Sequence, residues 1–106
     1  MIISDSNILT LLRDAGKIQR EIIDGLMRSG LLVPGHTGIQ VEEWIKKEQK
    51  IHGVESAFLG QYGYPANIIL SVNDVVVHGV PMDIPFESGD VLKVDYGIRY
   101  KGYLTD

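Results

Sequence analysis

Apolar residues recur every three or four positions through the first part of the chain, from Ile8 to Met27. That spacing places them along one face of a helix. Ser6 or Asn7 can cap the start of this helix, and Gly30 stands where helices commonly end on a glycine. The pattern therefore predicts a long first helix with one buried face.

A second helix is predicted after the turn signal Pro34–Gly35. Thr37 and Gln40 have the form of a capping box, in which the threonine bonds forward and the glutamine bonds back. The helix is expected to end near His52–Gly53. The residues expected to face inward are Val41, Trp44 and Ile45, and those expected to face outward are Glu42, Glu43, Lys46 and Lys47.

The second half of the chain is richer in β-branched residues and in turn residues, which favours strands. The predicted strands are Val54–Leu59, Asn67–Val77 with a bend at Asn73–Asp74, Val91–Ile98, and a last one from Tyr103 onward. Loops are predicted at Gly60–Ala66 and Pro81–Gly89. The order of two helices and then strands predicts an α+β fold with an antiparallel sheet, in one domain over residues 1–106.

Asp95 and Asp106 are candidates to hold a metal ion, because a hairpin between them can bring their carboxylates together. A turn at Tyr100–Lys101 would set them directly opposite, and a turn at Lys101–Gly102 would make them diagonal neighbours. A three-residue loop would need a glycine bulge, which Gly102 could supply. Converging carboxylates repel each other, and a divalent cation relieves that repulsion.

The pattern of the strand does not by itself choose between a metal site and two solvated aspartates. Val91 and Lys93 share the Asp95 side of the pleat, while Leu92 and Val94 face the other way. A solvated Asp95 fits that alternation equally well, and aspartate is common near turns. The choice depends on resemblance to known proteins.

Five motifs, in order along the chain, are similar to segments of type I methionine aminopeptidases. They are Val33–Thr37, Gly63–Ala66, Ser71–Pro81 with its sequence His78-Gly79-Val80-Pro81, Gly89–Asp95 and Gly102–Asp106. The step in sequence from Asp95 to Asp106 also fits this family. The resemblance extends from about Leu11 to Asp106.

The resemblance implies the N-terminal half of the pita-bread fold and a metal-dependent removal of the initiator methionine from nascent proteins in the cytoplasm. The complete enzyme would hold two divalent ions (Mn, Fe, Co or Zn). The family's other ligands, one histidine and two glutamates, and its general base belong to the second half of the fold. We therefore expect the isolated chain to bind metal weakly and to be inactive.

The same resemblance assigns roles to individual residues. Asp95 would chelate one metal ion and Asp106 would bridge two. His78 would lie beside the substrate, bond to the scissile peptide and help to stabilise the tetrahedral intermediate. The residues at positions that line the methionine pocket are Phe58, Tyr64 and Ile69; a core role suits Phe58 and Ile69 as well.

One pocket position departs from the family, which often has an aromatic residue where Gln61 stands. Tyr62 could take that place if the loop is shifted. Because the second half of the family fold is missing, an alternative function is a truncated, non-catalytic homologue that binds peptide N-termini or a partner protein. Retention of His78 and both aspartates favours an enzyme origin. The segment His78–Pro81 argues against a related prolidase-type peptidase.

Charge and hydropathy narrow the range of partners. The net charge of −4 provides no basic patch for a nucleic acid, and no apolar run is long enough to cross a membrane. The absence of cysteine excludes disulfides and thiolate metal sites. The expected partner is a peptide or nascent protein beginning with methionine. Self-association is also expected, through strand edges and an apolar helix face left uncovered.

Overall fold

The computed structural model describes residues 6–73 and 80–105. Two helices come first in the chain, α1 (Ser6–Arg28) and α2 (Gly38–His52). The strands that follow are β1 (Glu55–Ser56), β2 (Ile69–Val72), β3 (Leu92–Asp95), β4 (Ile98–Tyr100) and β5 (Tyr103–Leu104), with a short 3₁₀ turn at Gln61–Gly63 between β1 and β2. The predicted order of two helices and then antiparallel strands is confirmed.

The apolar face of α1 is buried, as the helical spacing predicts. Ala15, Ile22 and Leu26 are fully enclosed in the core, at intervals that keep them on one side of the helix. Met27 was expected on this face but is exposed, since it lies one position around the helix from Leu26. Gly30 has a φ of 80°, the left-handed conformation that commonly follows the end of a helix.

The capping box at the start of α2 is confirmed. The Gln40 backbone N–H donates to the Thr37 hydroxyl at 3.2 Å, and the Thr37 backbone N–H donates to the Gln40 side-chain oxygen at 2.9 Å. At the other end, Gly53 adopts the left-handed conformation and its N–H bonds to the last carbonyls of the helix. Both boundaries of α2 therefore follow from local hydrogen bonding that the sequence signals.

Replacing Thr37 with alanine tests the contribution of this cap. We expect Thr37→Ala to lower the free energy of unfolding by about 1 kcal/mol, because the Gln40 N–H then has no acceptor in the protein. Thr37→Ser keeps the hydroxyl and should retain most of that stability. Urea unfolding followed by circular dichroism measures both. Equal losses in the two variants would contradict the role of the hydroxyl.

The strands form two small antiparallel sheets rather than one. In the first, β2 pairs with β3, from Ile69 opposite Asp95 to Val72 opposite Leu92. In the second, β4 lies between β1 and β5. The prediction of one continuous strand over Val91–Ile98 is wrong. The backbone leaves the first sheet after Asp95 and joins the second at Ile98.

Gly97 lies at this break, where the backbone of Thr105 approaches too closely for a residue with a side chain. A Cβ added at Gly97 would overlap the carbonyl oxygen of Thr105. Thr105 in turn is fixed to Ile98, since its N–H donates to the Ile98 carbonyl at 2.8 Å. The Gly97 carbonyl also accepts from the Ala57 N–H at 3.0 Å. Backbone therefore crowds Gly97 closely enough to exclude a side chain.

The hairpin between β4 and β5 turns at Lys101–Gly102, the second of the three arrangements considered from the sequence. Lys101 and Gly102 have positive φ values of 49° and 88°, as a tight two-residue hairpin turn requires. Tyr100 and Tyr103 are directly paired across it. Asp106 lies outside the described residues, so its proximity to Asp95 stays a prediction.

The core lies between the two helices and the strands. It joins residues from α1, α2 and both sheets into one cluster, which includes Ile22, Leu26, Val41, Ile45, Ile68, Leu70, Tyr96 and Ile98. Ile68 and Leu70 come from the β2 region, and Ile98 comes from β4. The helices thus support the strands from one side and leave the opposite face of β3 open.

Candidate functional site

Asp95 is the last residue of β3, and its side chain lies on the exposed face of that strand. Lys93 is exposed on the same face, whereas Leu92 and Val94 are half-buried against the core. The alternation expected from the sequence is therefore present. The Asp95 side chain is therefore accessible at the end of the strand, while the other face of the strand packs against the core.

Ile69 lies directly opposite Asp95 in the β2–β3 ladder. It is half-buried. The structure thus brings together a predicted metal ligand and a residue predicted to contact the substrate, although they are far apart in sequence. This pairing depends on the strand register.

Tyr64 is tied to the same strand. Its hydroxyl donates to the carbonyl of Ile68 at 2.8 Å, one residue before Ile69. Partial burial raises the pKa of the Tyr64 hydroxyl above its ordinary value, and the negative charge of Glu42 adds to the effect. The phenol therefore stays protonated at neutral pH, as its donor role requires.

Phe58 is linked to the segment before β2 by hydrogen bonds through the Ser56 hydroxyl. The Phe58 N–H donates to the Ser56 hydroxyl oxygen at 3.0 Å, and that hydroxyl donates to the Asn67 carbonyl at 2.7 Å. Phe58 is half-buried. The segment that leads into β2 is therefore the common support of the three predicted pocket residues.

Gln61, the position that departs from the family pattern, is exposed in the 3₁₀ turn. Its carbonyl accepts from the Tyr64 N–H at 2.9 Å, which holds the turn in shape. Gln61 provides no aromatic surface at this position.

An apolar cavity of about 370 Å³ lies elsewhere, between the start of α2, β2 and the loop before β3. Its lining includes Leu70, Val72, Met82 and Phe86. Among the described residues, Phe58, Tyr64 and Ile69 do not line this cavity. It therefore differs from the predicted methionine pocket.

Two of the predicted site residues, His78 and Asp106, lie outside the described residues. Their roles stay predictions. Within residues 6–73 and 80–105, no three side chains of His, Cys, Asp or Glu come close enough together to hold a metal ion. The Asp95 carboxylate is a ligand of the hard oxygen type that divalent ions accept, but it is one donor of the several that a site needs.

Nothing in the sequence indicated a buried polar network that reaches Tyr96, the residue after β3, because Glu42 was expected on the outer face of α2. That prediction is wrong: Glu42 is 7% exposed. Its carboxylate oxygens both accept from the Asn67 backbone N–H at 3.0 Å, and one also accepts from the Asn67 side-chain amide at 2.6 Å. These bonds offset the cost of burying the carboxylate.

The network continues from Asn67 to the residue that follows Asp95. The Gln49 amide N–H donates to the Asn67 side-chain oxygen at 3.0 Å, and the Tyr96 hydroxyl donates to the Gln49 oxygen at 2.8 Å. Gln19 of α1 donates to the Tyr96 carbonyl at 2.7 Å. Burial raises the pKa of Tyr96 well above its usual range, with a further contribution from the charge of Glu42.

Comparison with known proteins identifies the family. The model of metallopeptidase family M24 matches residues 10–106 of the chain. The chain belongs to this family. Its description is that of a family of metallopeptidases.

Individual relatives are methionine aminopeptidases. The chain is 32% identical over 106 residues to the methionine aminopeptidase of Clostridium perfringens, covering 100% of this chain and 42% of that protein. It is 34% identical over 96 residues to a mitochondrial methionine aminopeptidase 1D of Dictyostelium discoideum, covering 90% of this chain and 23% of that protein. Homology to methionine aminopeptidases thus extends along the whole chain.

Solved structures agree with the sequence matches. The methionine aminopeptidase of Rickettsia prowazekii superposes with a TM-score of 0.87 at 27% identity, and that of Thermotoga maritima with 0.82 at 31%. Each match covers 98% of this chain and 41% of the other. The chain therefore has part of the pita-bread fold, and it spans about two fifths of the length of these relatives. No helix in the described segments is both long and apolar enough to cross a membrane.

Proposed function

We propose that this chain supplies the N-terminal half of a type I methionine aminopeptidase, which removes the initiator methionine from nascent proteins in the cytoplasm. The observation that carries the proposal is the pairing of Asp95 with Ile69 on an accessible strand end. It sets a carboxylate suited to a metal ion beside an apolar side chain suited to a methionine substrate. The family relationship supplies the reaction class.

In this proposal Asp95 and Asp106 would be ligands of two divalent ions. Such a metal pair polarises a peptide carbonyl and lowers the pKa of a bound water. His78 would bond to the scissile peptide. The pocket for the methionine side chain would be lined by Phe58, Tyr64 and Ile69. The other ligands and the general base would come from the second half of the family fold.

The proposed partners follow from the same assignment. The substrate would be a peptide or nascent chain with an N-terminal methionine. Large apolar side chains are exposed at several places along the chain; they include Met27, Ile51, Leu59, Ile84 and Leu104. Exposed apolar surface favours association, so we expect the isolated chain to self-associate.

The alternative is a non-catalytic homologue that uses the remnant pocket to bind peptide N-termini or a partner protein. Sequencing the coding DNA beyond the Asp106 codon separates the two. If the reading frame continues with a further histidine and two glutamates, the enzyme proposal stands. If a stop codon follows directly, the gene product lacks the general base and most metal ligands, and the binding function replaces it.

A peptide assay tests the activity itself. The product of the whole reading frame, with Mn²⁺ or Co²⁺, should release methionine from a peptide beginning Met-Ala. Asp95→Asn should reduce that release by about 100-fold or more, because the amide is a neutral and weaker ligand for the metal. The isolated 106-residue chain should release none. Release by the isolated chain, or full activity of Asp95→Asn, would contradict the assignment.

A further inference from the structure

Both strands of the β2–β3 ladder are held just beyond the end at which Asp95 pairs with Ile69. On one side, Asn67 lies two residues before Ile69. On the other, Tyr96 follows Asp95 directly. Gln49 of α2 bonds to both, through its amide nitrogen to Asn67 at 3.0 Å and through its oxygen to the Tyr96 hydroxyl at 2.8 Å. One side chain therefore bridges the two strands at the Asp95 end.

The direction of these hydrogen bonds is set by Glu42. A carboxylate only accepts, so the Asn67 amide nitrogen must face it, and the Asn67 oxygen is left to accept from Gln49. The Gln49 oxygen is then the acceptor for the Tyr96 hydroxyl. Only one orientation of each amide satisfies the whole series.

The bridge is rigid because it is buried and backed by both helices. Gln49 is 7% exposed and Tyr96 is 3% exposed. The Tyr96 carbonyl is fixed separately by Gln19 of α1. Glu42 and Gln49 lie two turns apart on one face of α2, so the helix presents both to the strands. A fully satisfied buried network of this kind allows little rearrangement.

We propose that Gln49 is a positioning residue, which clamps the Asp95 end of the ladder and thereby orients the Asp95 carboxylate toward a metal ion. The inference rests on the proposed function of Asp95 as a metal ligand. Gln49 does not act on the substrate or the metal. It acts through Tyr96, whose backbone position determines where the adjoining carboxylate points.

Hydrogen exchange of the 106-residue chain tests the clamp. In Gln49→Met, which keeps the side-chain volume but loses both bonds, amides at residues 68–70 and 94–96 should exchange about tenfold faster, the factor that a lost buried hydrogen bond represents. Amides in the middle of α1 should change much less. Lys47→Met, at an exposed position of the same helix, is the control and should leave both regions unchanged.

The pattern of exchange decides between a local clamp and a general contribution to stability. An equal acceleration in α1 and in the ladder, or no acceleration at residues 68–70 and 94–96, would overturn the proposal. If Gln49→Met does not fold, Tyr96→Phe removes one hydroxyl and keeps the ring. It should accelerate exchange at the same residues, by a smaller factor.

Binding of Mn²⁺ tests the link to Asp95. The affinity measured by paramagnetic broadening at Asp95 should fall about tenfold in Gln49→Met, as expected for loss of a residue that supports a metal ligand. An unchanged affinity would overturn the orienting role. If the unaltered chain shows no broadening at Asp95, the proposed metal function fails and the orienting role fails with it, while hydrogen exchange still decides whether Gln49 clamps the ladder.

Discussion

Replacing Glu42 with alanine is expected to lower the free energy of unfolding by about 3 kcal/mol, because two buried donors of Asn67 then lose their acceptor. The Asn67 backbone N–H and side-chain amide both donate to the carboxylate, and Asn67 is only 4% exposed. Water cannot easily replace the lost partner there. Small domains are stable by about 5–15 kcal/mol in total, so this loss should remove a large fraction of the free energy of unfolding.

The neighbouring residue Glu43 is a matched control for this experiment. It is exposed, and its ion pair with Lys46 at 3.6 Å is solvated. Glu43→Ala should therefore change the stability by less than about 0.5 kcal/mol. Urea unfolding of both variants measures the difference. Similar losses for the two positions would mean that the carboxylate of Glu42 is not the anchor of Asn67.

Glu42→Gln removes the charge and one of the two acceptor oxygens. The amide keeps one oxygen that can accept from Asn67 but replaces the other with a donor, so two donors face each other. We expect a loss intermediate between those of Glu43→Ala and Glu42→Ala. A loss as large as that of Glu42→Ala would show that both carboxylate oxygens are required.

Gly97→Ala is expected to cost about 3 kcal/mol, because the added methyl group would overlap the Thr105 carbonyl oxygen. The neighbouring backbone cannot move away freely. The Gly97 carbonyl is bonded to Ala57, and Thr105 is bonded to Ile98 through both its N–H and its hydroxyl. Relief of the overlap must therefore separate β5 from β4 or β4 from β1.

Gly16 provides the control for that substitution. It lies in the middle of α1, and a Cβ added there meets nothing within 4 Å. Gly16→Ala should raise the free energy of unfolding by about 0.5–1 kcal/mol, since alanine loses less conformational entropy in a helix. Thermal unfolding of both variants should thus give shifts of opposite sign. A tolerated Gly97→Ala would contradict the close approach of Thr105.

Local signals account for the parts of the fold that the sequence predicted well. The capping box of Thr37 and Gln40 and the terminal glycine Gly53 act through bonds within a few residues, so their effect is visible in the sequence. The buried positions of α1 follow from spacing alone, except for Met27 at the margin of the face.

Errors arose where distant residues determine the outcome. Glu42 was expected in solvent because a charged side chain on a helix usually is, and its partner Asn67 is 25 positions away. The strand over Val91–Ile98 was expected to be continuous because its residues favour strands. The close approach of Thr105 to Gly97 at the break is a tertiary contact, so the glycine marked the position in the sequence but not its partner.

In the candidate site, too, local features were predictable from the sequence and long-range ones were not. Alternation along β3 was sufficient to describe the face that carries Asp95, but not to choose between a metal ligand and a solvated residue. The pairing of Asp95 with Ile69 depends on the register of two strands that residues 73–91 separate in the sequence. Gln49, whose role depends on two distant partners, could not be found from its own sequence context.

Titration of the 106-residue chain with Mn²⁺, followed by NMR, decides whether Asp95 is a metal ligand. Weak binding should broaden the resonances of Asp95 and of Ile69, its partner across the ladder. Asp95→Asn should remove this broadening without disturbing the core around Ile22 and Ile98. Broadening confined to other acidic residues, or broadening at Asp95 that persists in Asp95→Asn, would contradict the assignment of Asp95 as a metal ligand.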